Sequence, residues 1–292
     1  VGNTRSGRGR ARRLYLKFRA RLEGSGYRVI PLALGDPGFA GAERFDPERF
    51  RGAHALVACG GDGTVNALAN AAVRTGTPLY HIPTGNENLF ARAFRMTRDP
   101  GDLVRALQTR HVLRSDLGRC AGRHFLIMVS MGPDAGVIDR LHRARTRALG
   151  HLAYAEPMLR EAFHPTLPRL SVTVDGRRMV DHRRGWLVVG NQRHYAARIN
   201  FASKAVPDDG LLDVVFMPAA NLRDCVNWLG RAWARRHRRD PRLLSLAGRR
   251  IIVEANGDAM TYQFDGEAAE AIRPSGTLEI VLDRLALPVL TR

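Results

Sequence analysis

The most constraining stretch of this 292-residue chain is Ala58-Cys59-Gly60-Gly61-Asp62-Gly63-Thr64-Val65-Asn66. A buried-strand pattern runs into three glycines within four positions and then into a helical pattern. Glycine lets backbone approach an anionic ligand closely and accept positive φ. The helix that follows offers free N–H groups and a positive dipole end, a ready phosphate site. Asp62 is a carboxylate that could position Mg²⁺ or its water, and Thr64 could cap the helix, bind a phosphate oxygen, or both. A lone glycine loop is also an ordinary tight turn. Here the strand–loop–helix context selects the phosphate reading.

Around this loop the first third alternates strand and helix signals. Arg10–Leu22 carries Leu14, Tyr15, Phe18 and Leu22 at helical spacing. Strands are expected at Tyr27–Leu34, His54–Cys59 and Pro78–Ile82, and helices at Val65–Val73, Glu87–Phe94 and Asp102–Gln108. Such alternation predicts a parallel sheet with helices on its faces, a Rossmann-like α/β nucleotide-binding domain. From about residue 115 onward short strand candidates dominate: Val112–Leu117, Phe125–Met131, Leu170–Val174, Trp186–Gly190, Leu212–Met217, Ile251–Glu254, Met260–Phe264 and Thr277–Leu282. Asp175-Gly176 and Asp265-Gly266 read as tight turns. Helical inserts are expected at Val137–Phe163 and Asn221–Arg236. This half predicts a β-sandwich-like domain. The chain opens at Val1 on the loop-like run GNTRSGRGR, and a first strand is expected before it.

Composition narrows the class. Lys plus Arg total 46 against 28 Asp plus Glu, a formal net charge of +18, and only Lys17 and Lys204 are lysines. A balance this basic points to nucleic acid or an anionic surface. Against nucleic acid, there is no helix-turn-helix, RNP-type or zinc-finger motif, and aromatics, at 7%, are not interleaved with the basic runs. Arginines crowd 5–21, 140–147 and 231–239. Their bland reading is a solvated surface; the functional one is docking to anionic lipid. No apolar run reaches the ~18–20 residues of a membrane-spanning helix. Cys59, Cys120 and Cys225 show no metal or disulfide spacing, and a reducing, cytoplasmic compartment is expected.

Motif absences remove other phosphate-transfer classes. There is no GxxxxGK[ST], no HRD/DFG pair, and no GxGxxG after a first strand. GGDGTVN at 60–66, however, resembles the signature of the diacylglycerol kinase catalytic-domain superfamily, bacterial lipid kinase branch, related to sphingosine kinases. Pro83-Thr84-Gly85-Asn86-Glu87-Asn88-Leu89-Phe90-Ala91-Arg92 is similar to its second loop, and Ser115-Asp116-Leu117-Gly118 to the entry to its second domain. Val206-Pro207-Asp208-Asp209-Gly210-Leu211-Leu212-Asp213-Val214 and Asp265-Gly266-Glu267 match later segments, and Asn3-Thr4-Arg5-Ser6-Gly7 the first loop. NAD kinases and phosphofructokinases are more distant carriers of a GGDGT loop.

The resemblance implies two domains, residues 1–115 binding ATP and 116–284 binding the acceptor. The active site would lie in the cleft between them, and residues 285–292 would return to the first domain. It implies that Asn3, Ser6 and Gly7 close over the ATP phosphates. Gly60, Gly61, Asp62, Gly63, Thr64 and Asn66 would cradle them, with Thr84, Gly85 and Asn86 alongside. Asp62 would act through Mg²⁺ and water. Asp265 or Glu267 would take the proton of the acceptor hydroxyl, and Val206, Asp209 and Leu211 would form a structural Mg²⁺ site. The implied reaction is ATP-dependent phosphorylation of a diacylglycerol-like or sphingoid lipid. A peripheral anionic membrane contact and a homodimer are compatible with it; nucleic acid is not an expected partner. Three departures stand out: Asn86 where threonine is usual, Leu89 where aspartate is usual, and Ala67 where glutamate is frequent. Arg198, in place of a glycine-rich run, could bind an anionic head group. A soluble acceptor such as NAD, or a regulatory protein without catalysis, are the competing readings.

Overall fold

The computed structural model describes residues 10–32, 50, 52–138, 167–193, 199–257, 260–268, 272 and 275–292. The first loop with Asn3, Ser6 and Gly7, most of the insert expected at 137–163, and Arg198 lie outside the described residues. Two compact units emerge: Val1–Leu117 with Arg284–Arg292, and Gly118–Asp283.

In chain order the strands are β1 Leu56–Gly60, β2 Leu79–Pro83, β3 Val112–Cys120, β4 Arg123–Phe125, β5 Met128–Met131, β6 Arg169–Val174 and β7 Arg177–Gly190. They continue with β8 Leu212–Pro218, β9 Leu244–Gly248, β10 Arg250–Ala255, β11 Gln263–Phe264, β12 Glu267–Ala268 and β13 Thr277–Leu290. The α-helices whose bounds fall within the described residues are α1 Arg10–Glu23, α2 Asp62–Thr75, α3 Leu89–Ala93, α4 Pro100–Thr109 and α5 Leu222–Trp233.

The first unit is a parallel α/β layer. β1 pairs with β2 from Leu56↔Leu79 to Gly60↔Pro83, and Val289 of β13 pairs in parallel with Leu79. Every residue of β2 is buried, as expected of a parallel strand covered on both faces. α1 turns Phe18 and Leu22, four residues apart, inward and leaves Arg12, Arg13, Arg19 and Arg21 in water. α2 buries Val65, Leu68, Ala69 and Ala72 and stops at Gly76, whose φ of 68° suits glycine. α4 starts on Pro100 after Asp99, whose side chain accepts from the Gly101 N–H at 2.9 Å. The strand expected at Tyr27–Leu34 does not form over 27–32. Ile30 is 64% exposed there; β-branched residues favour a strand only where a neighbouring strand is at hand to pack against.

The second unit is antiparallel. The first half of β7 pairs with β6 and its second half with β5 and β8, so one strand serves two layers. β10 lies between β6 and β13. The core between the layers holds Val129, Met131, Leu170, Val172, Leu187, Val189, Leu212, Val214, Phe216, Ile251, Val253 and Ile280, a β-sandwich arrangement. The turns at Asp175-Gly176 (φ 46° and 80°) and Asp265-Gly266 (φ 49° and 85°) have two positive φ values each, the mark of type I′ hairpins. The single strand expected over Phe125–Met131 is broken at Leu126 and Ile127 because their amides are drawn to another partner, described below. The expected strand at Met260–Phe264 is reduced to a bridge at Met260 and the two residues of β11. Among the described residues, no helix is long and apolar enough to cross a membrane.

Candidate functional site

β1 ends at Gly60 and α2 begins at Asp62, so the first glycine loop is a one-residue hinge. Its N-cap, Gly61, offers no side-chain hydrogen bond to the helix. Thr64 N–H turns back onto the Gly61 carbonyl at 3.0 Å, which leaves the N–H groups of Asp62 and Gly63, with no side-chain cap, as the ones able to hold an anion. Thr64 does not cap the helix as expected. It lies inside the first turn, 4% exposed, with its side chain packed on Gly60 where any Cβ would collide. Asn66, two residues along, is also buried.

The second loop follows β2 and rests on the first. A Cβ at Gly85 would come within 2.7 Å of the Gly61 Cα, and one at Gly61 within 3.5 Å of the Gly85 Cα. Backbone meets backbone, and only glycine at 85 permits it. Thr84 donates its N–H to the Gly60 carbonyl at 2.9 Å. Asn88, at φ 49°, closes the loop on itself: its Oδ1 accepts from Gly85 N–H at 2.8 Å and its Nδ2 donates to the Gly85 carbonyl at 2.7 Å. Asn86 projects to solvent between them. Gly60, Gly61, Asp62, Gly63, Thr64, Thr84, Gly85 and Asn86 are thus brought together.

Asp62 accepts from the Phe90 N–H at 3.0 Å, which fastens the first loop to the start of α3. Leu89, the departure from the family pattern, is 8% exposed and serves as packing. His81, which the sequence reading did not single out, supports the first loop from below. It is fully buried, and its Nε2 lies 2.9 Å from the Gly60 carbonyl. A carbonyl only accepts, so this nitrogen carries the proton. Burial lowers its pKa below the ordinary histidine value, against the opposing pull of the Gly60 carbonyl and the Asp62 charge. Gly60 is therefore held by two donors, His81 and Thr84. The one available signal was a polar residue inside the apolar run Leu79–Pro83.

In the second unit, Asp265 and Glu267 share one hairpin but have different surroundings. The Asp265 carboxylate accepts three main-chain N–H bonds, from Leu126 at 2.6 Å, Ile127 at 2.8 Å and Met128 at 3.0 Å. Its own N–H donates to the Met128 carbonyl. This is the contact that interrupts the strand expected over 125–131. Glu267 is exposed, 3.3 Å from the Arg123 guanidinium. Farther along the fold, the Asp209 carboxylate accepts from Leu211 N–H at 3.0 Å. Asp213 is buried nearby, its pKa pushed up to about 6 by burial and then by the Asp209 charge. Val206, Asp209 and Leu211 lie on one turn. Among the described residues no group of three His, Cys, Asp or Glu side chains could hold a metal. One carboxylate with main-chain carbonyls still fits Mg²⁺, which prefers oxygen and retains several waters.

Comparison with known proteins gives a consistent picture. Residues 1–120 match the family model "Diacylglycerol kinase catalytic domain". Residues 127–286 match "YegS C-terminal NAD kinase beta sandwich-like domain". A Pseudomonas syringae pv. tomato protein named "Probable lipid kinase YegS-like" is 32% identical over 186 residues, 61% of this chain and 59% of the relative. A diacylglycerol kinase of Bacillus subtilis is 27% identical over 224 residues, 73% of this chain and 70% of the relative. The matches to a Synechocystis protein and to the Pseudomonas syringae pv. syringae relative span 37% and 59% of those proteins' lengths. A solved diacylglycerol kinase from Bacillus anthracis str. Sterne shares the fold, with TM-score 0.72 at 19% identity, covering 99% of this chain and 95% of that one. Yeast NADH kinase is a more distant fold neighbour, TM-score 0.51 at 11% identity, over 96% and 78% of the two chains.

Proposed function

This chain belongs to the family of the YegS C-terminal NAD kinase beta sandwich-like domain, and its residues 1–120 match the diacylglycerol kinase catalytic domain; from this pairing we propose that it transfers the γ-phosphate of ATP to the hydroxyl of a diacylglycerol-like or sphingoid lipid. The observation that carries this reading is the contact of the two glycine loops, Gly61 against Gly85, beside the uncapped start of α2. That cradle leaves no room for a side chain and offers N–H groups to phosphate oxygens.

In this reading Gly60–Thr64 and Thr84–Asn86, with Asn66, hold the nucleotide phosphates, and the family resemblance assigns Asn3, Ser6 and Gly7 to the same phosphates. Mg²⁺, when bound, offsets charge on the transferring phosphoryl group. Asp62 presents a carboxylate toward the phosphates from a position fixed by Phe90 N–H. His81 and Thr84 keep the Gly60 peptide from rotating. The Asp265–Glu267 hairpin would take the proton of the acceptor hydroxyl, a transfer that requires an approach to ~2.6–3.2 Å. Val206, Asp209 and Leu211 would hold a second, structural Mg²⁺.

The second reading is a soluble acceptor such as NAD, favoured by the fold likeness to yeast NADH kinase; the 83–92 and 206–214 segments speak for a lipid. A catalytically silent nucleotide binder is motivated by Leu89. A radiolabelled-ATP assay over a panel of lipids and NAD separates the three. We expect label on lipid, reduced at least ~100-fold by Asp62→Asn, the scale of losing one electrostatic group at a transferring charge. Label on NAD alone selects the second reading, and nucleotide binding without transfer the third.

A further inference from the structure

We propose that α5 is a membrane-docking helix that lays Val226 and Trp233 into the surface of an anionic lipid bilayer. The proposal rests on the lipid-kinase reading only for its biological sense; the helix and its charges stand by themselves.

α5 is firmly built. Asn221 caps it, its side chain accepting from Asp224 N–H at 3.1 Å, and Asp224 in turn accepts from Ala220 N–H at 2.8 Å. One face, Cys225, Trp228 and Ala232, is buried against the unit. The Trp228 indole N–H donates to the Pro218 carbonyl at 2.8 Å. The opposite face should be polar on a helix that ends its contacts there. Instead Val226 is 57% and Trp233 75% exposed, seven residues apart on one stripe with Gly230 between them. Trp233 is the most exposed large apolar side chain among the described residues.

Charge identifies the occupant. Arg223, Arg235, Arg236 and Arg239 are exposed around this stripe and form no ion pair with any described residue. The acid at this end, Asp240, is already engaged by Arg231 at 3.4 Å and Arg242 at 2.9 Å. A second copy of the chain would bring these like charges face to face. Duplex nucleic acid offers phosphates but no apolar layer for Val226 and Trp233. An anionic bilayer offers both: basic residues bind the head groups, and tryptophan settles at the interface.

The three tryptophans make the test direct. Trp186 and Trp228 are 2% and 0% exposed, so a change in tryptophan emission on vesicle addition reports Trp233. The full chain is mixed with vesicles of equimolar phosphatidylcholine and phosphatidylglycerol, containing no diacylglycerol and no nucleotide. A blue shift and co-flotation are expected, with neither on pure phosphatidylcholine. Arg235→Gln combined with Arg236→Gln should weaken partitioning about thirtyfold, the equivalent of ~1 kcal/mol for each basic residue. Trp233→Ala should weaken flotation without altering the melting temperature. Equal partitioning of the wild type and the arginine variant overturns the proposal. So does tighter binding to a DNA duplex than to vesicles, or a dimer in sedimentation that Trp233→Ala dissolves. Since no substrate is present, a chain that docks but transfers no phosphate refutes only the kinase reading. One that phosphorylates detergent-dispersed lipid yet ignores vesicles refutes only the docking.

Discussion

At the residue scale, the glycines argue by exclusion. Gly85→Ala would force its new methyl to 2.7 Å from the Gly61 Cα, so one loop must shift. We expect ATP affinity to fall at least ~10-fold in calorimetric titration, with a stability loss of about 1–3 kcal/mol from overpacking. The DGE hairpin separates two roles in the same way. Asp265→Asn should lower the melting temperature and activity together, since one of its oxygens becomes a donor facing the 126–128 amides. Glu267→Gln should leave melting unchanged; if it also leaves turnover unchanged, Glu267 is not the base. The buried thiols of Cys59 and Cys120 have pKa values pushed up by burial to about 11 and about 12, from 9.0. In the unfolded chain they ionise near 9, so their stability contribution is complete below that pH and is lost as it rises through the folded values. Urea midpoints at about pH 8 and about pH 10.5 should differ less in a Cys59→Ala, Cys120→Ala variant than in the wild type. Much at this scale was legible in the sequence: GGDGT, the Gly85 loop and the Asp-Gly turns are local patterns with local causes. The Asp265 clamp was not, because its three partners are 137 to 139 residues away.

Elements follow the hydrophobic period wherever burial imposes it. α1, α2, α4 and α5 appear close to where apolar spacing placed them. Residues 27–32 misled because strand-forming composition alone does not make a strand, and among the described residues no strand pairs with that stretch. α3 presents the most informative case. Leu89, read from the family pattern as a missing carboxylate, is buried at the first position of a short helix. Leu89→Asp restores the family residue but removes this packing. We expect a loss of about 2–3 kcal/mol in chemical denaturation, the value of one buried leucine side chain. If phosphate transfer rises despite that loss, Leu89 limits the reaction; unchanged or lower turnover means that the helix has adapted to an apolar start.

On the scale of the whole molecule, the chain leaves its first unit along β3 and returns along β13, and neither the return nor its anchors could be read from local pattern alone. Residues 285–292 are well tied. Val289 extends the parallel pairing at Leu79, and Thr291 donates its N–H to the His111 carbonyl at 2.9 Å. Arg292 pairs with buried Asp102 at 3.3 Å, and Leu285 N–H reaches Asp116 at 2.6 Å. Deleting residues 286–292 should therefore unfold the first unit preferentially. Hydrogen exchange should show protection lost in β1 and β2 but retained in β7 and β8. Uniform loss of protection would mean that the two units unfold as one. The same pairing sets an order of events during synthesis. Leu79 leaves the ribosome some two hundred residues before Val289, its partner. The glycine loops are translated early, yet the sheet beneath them gains β13 only after residue 289 has been made. A nascent chain stalled before that point should carry a folded second unit and a first unit still open to chaperones.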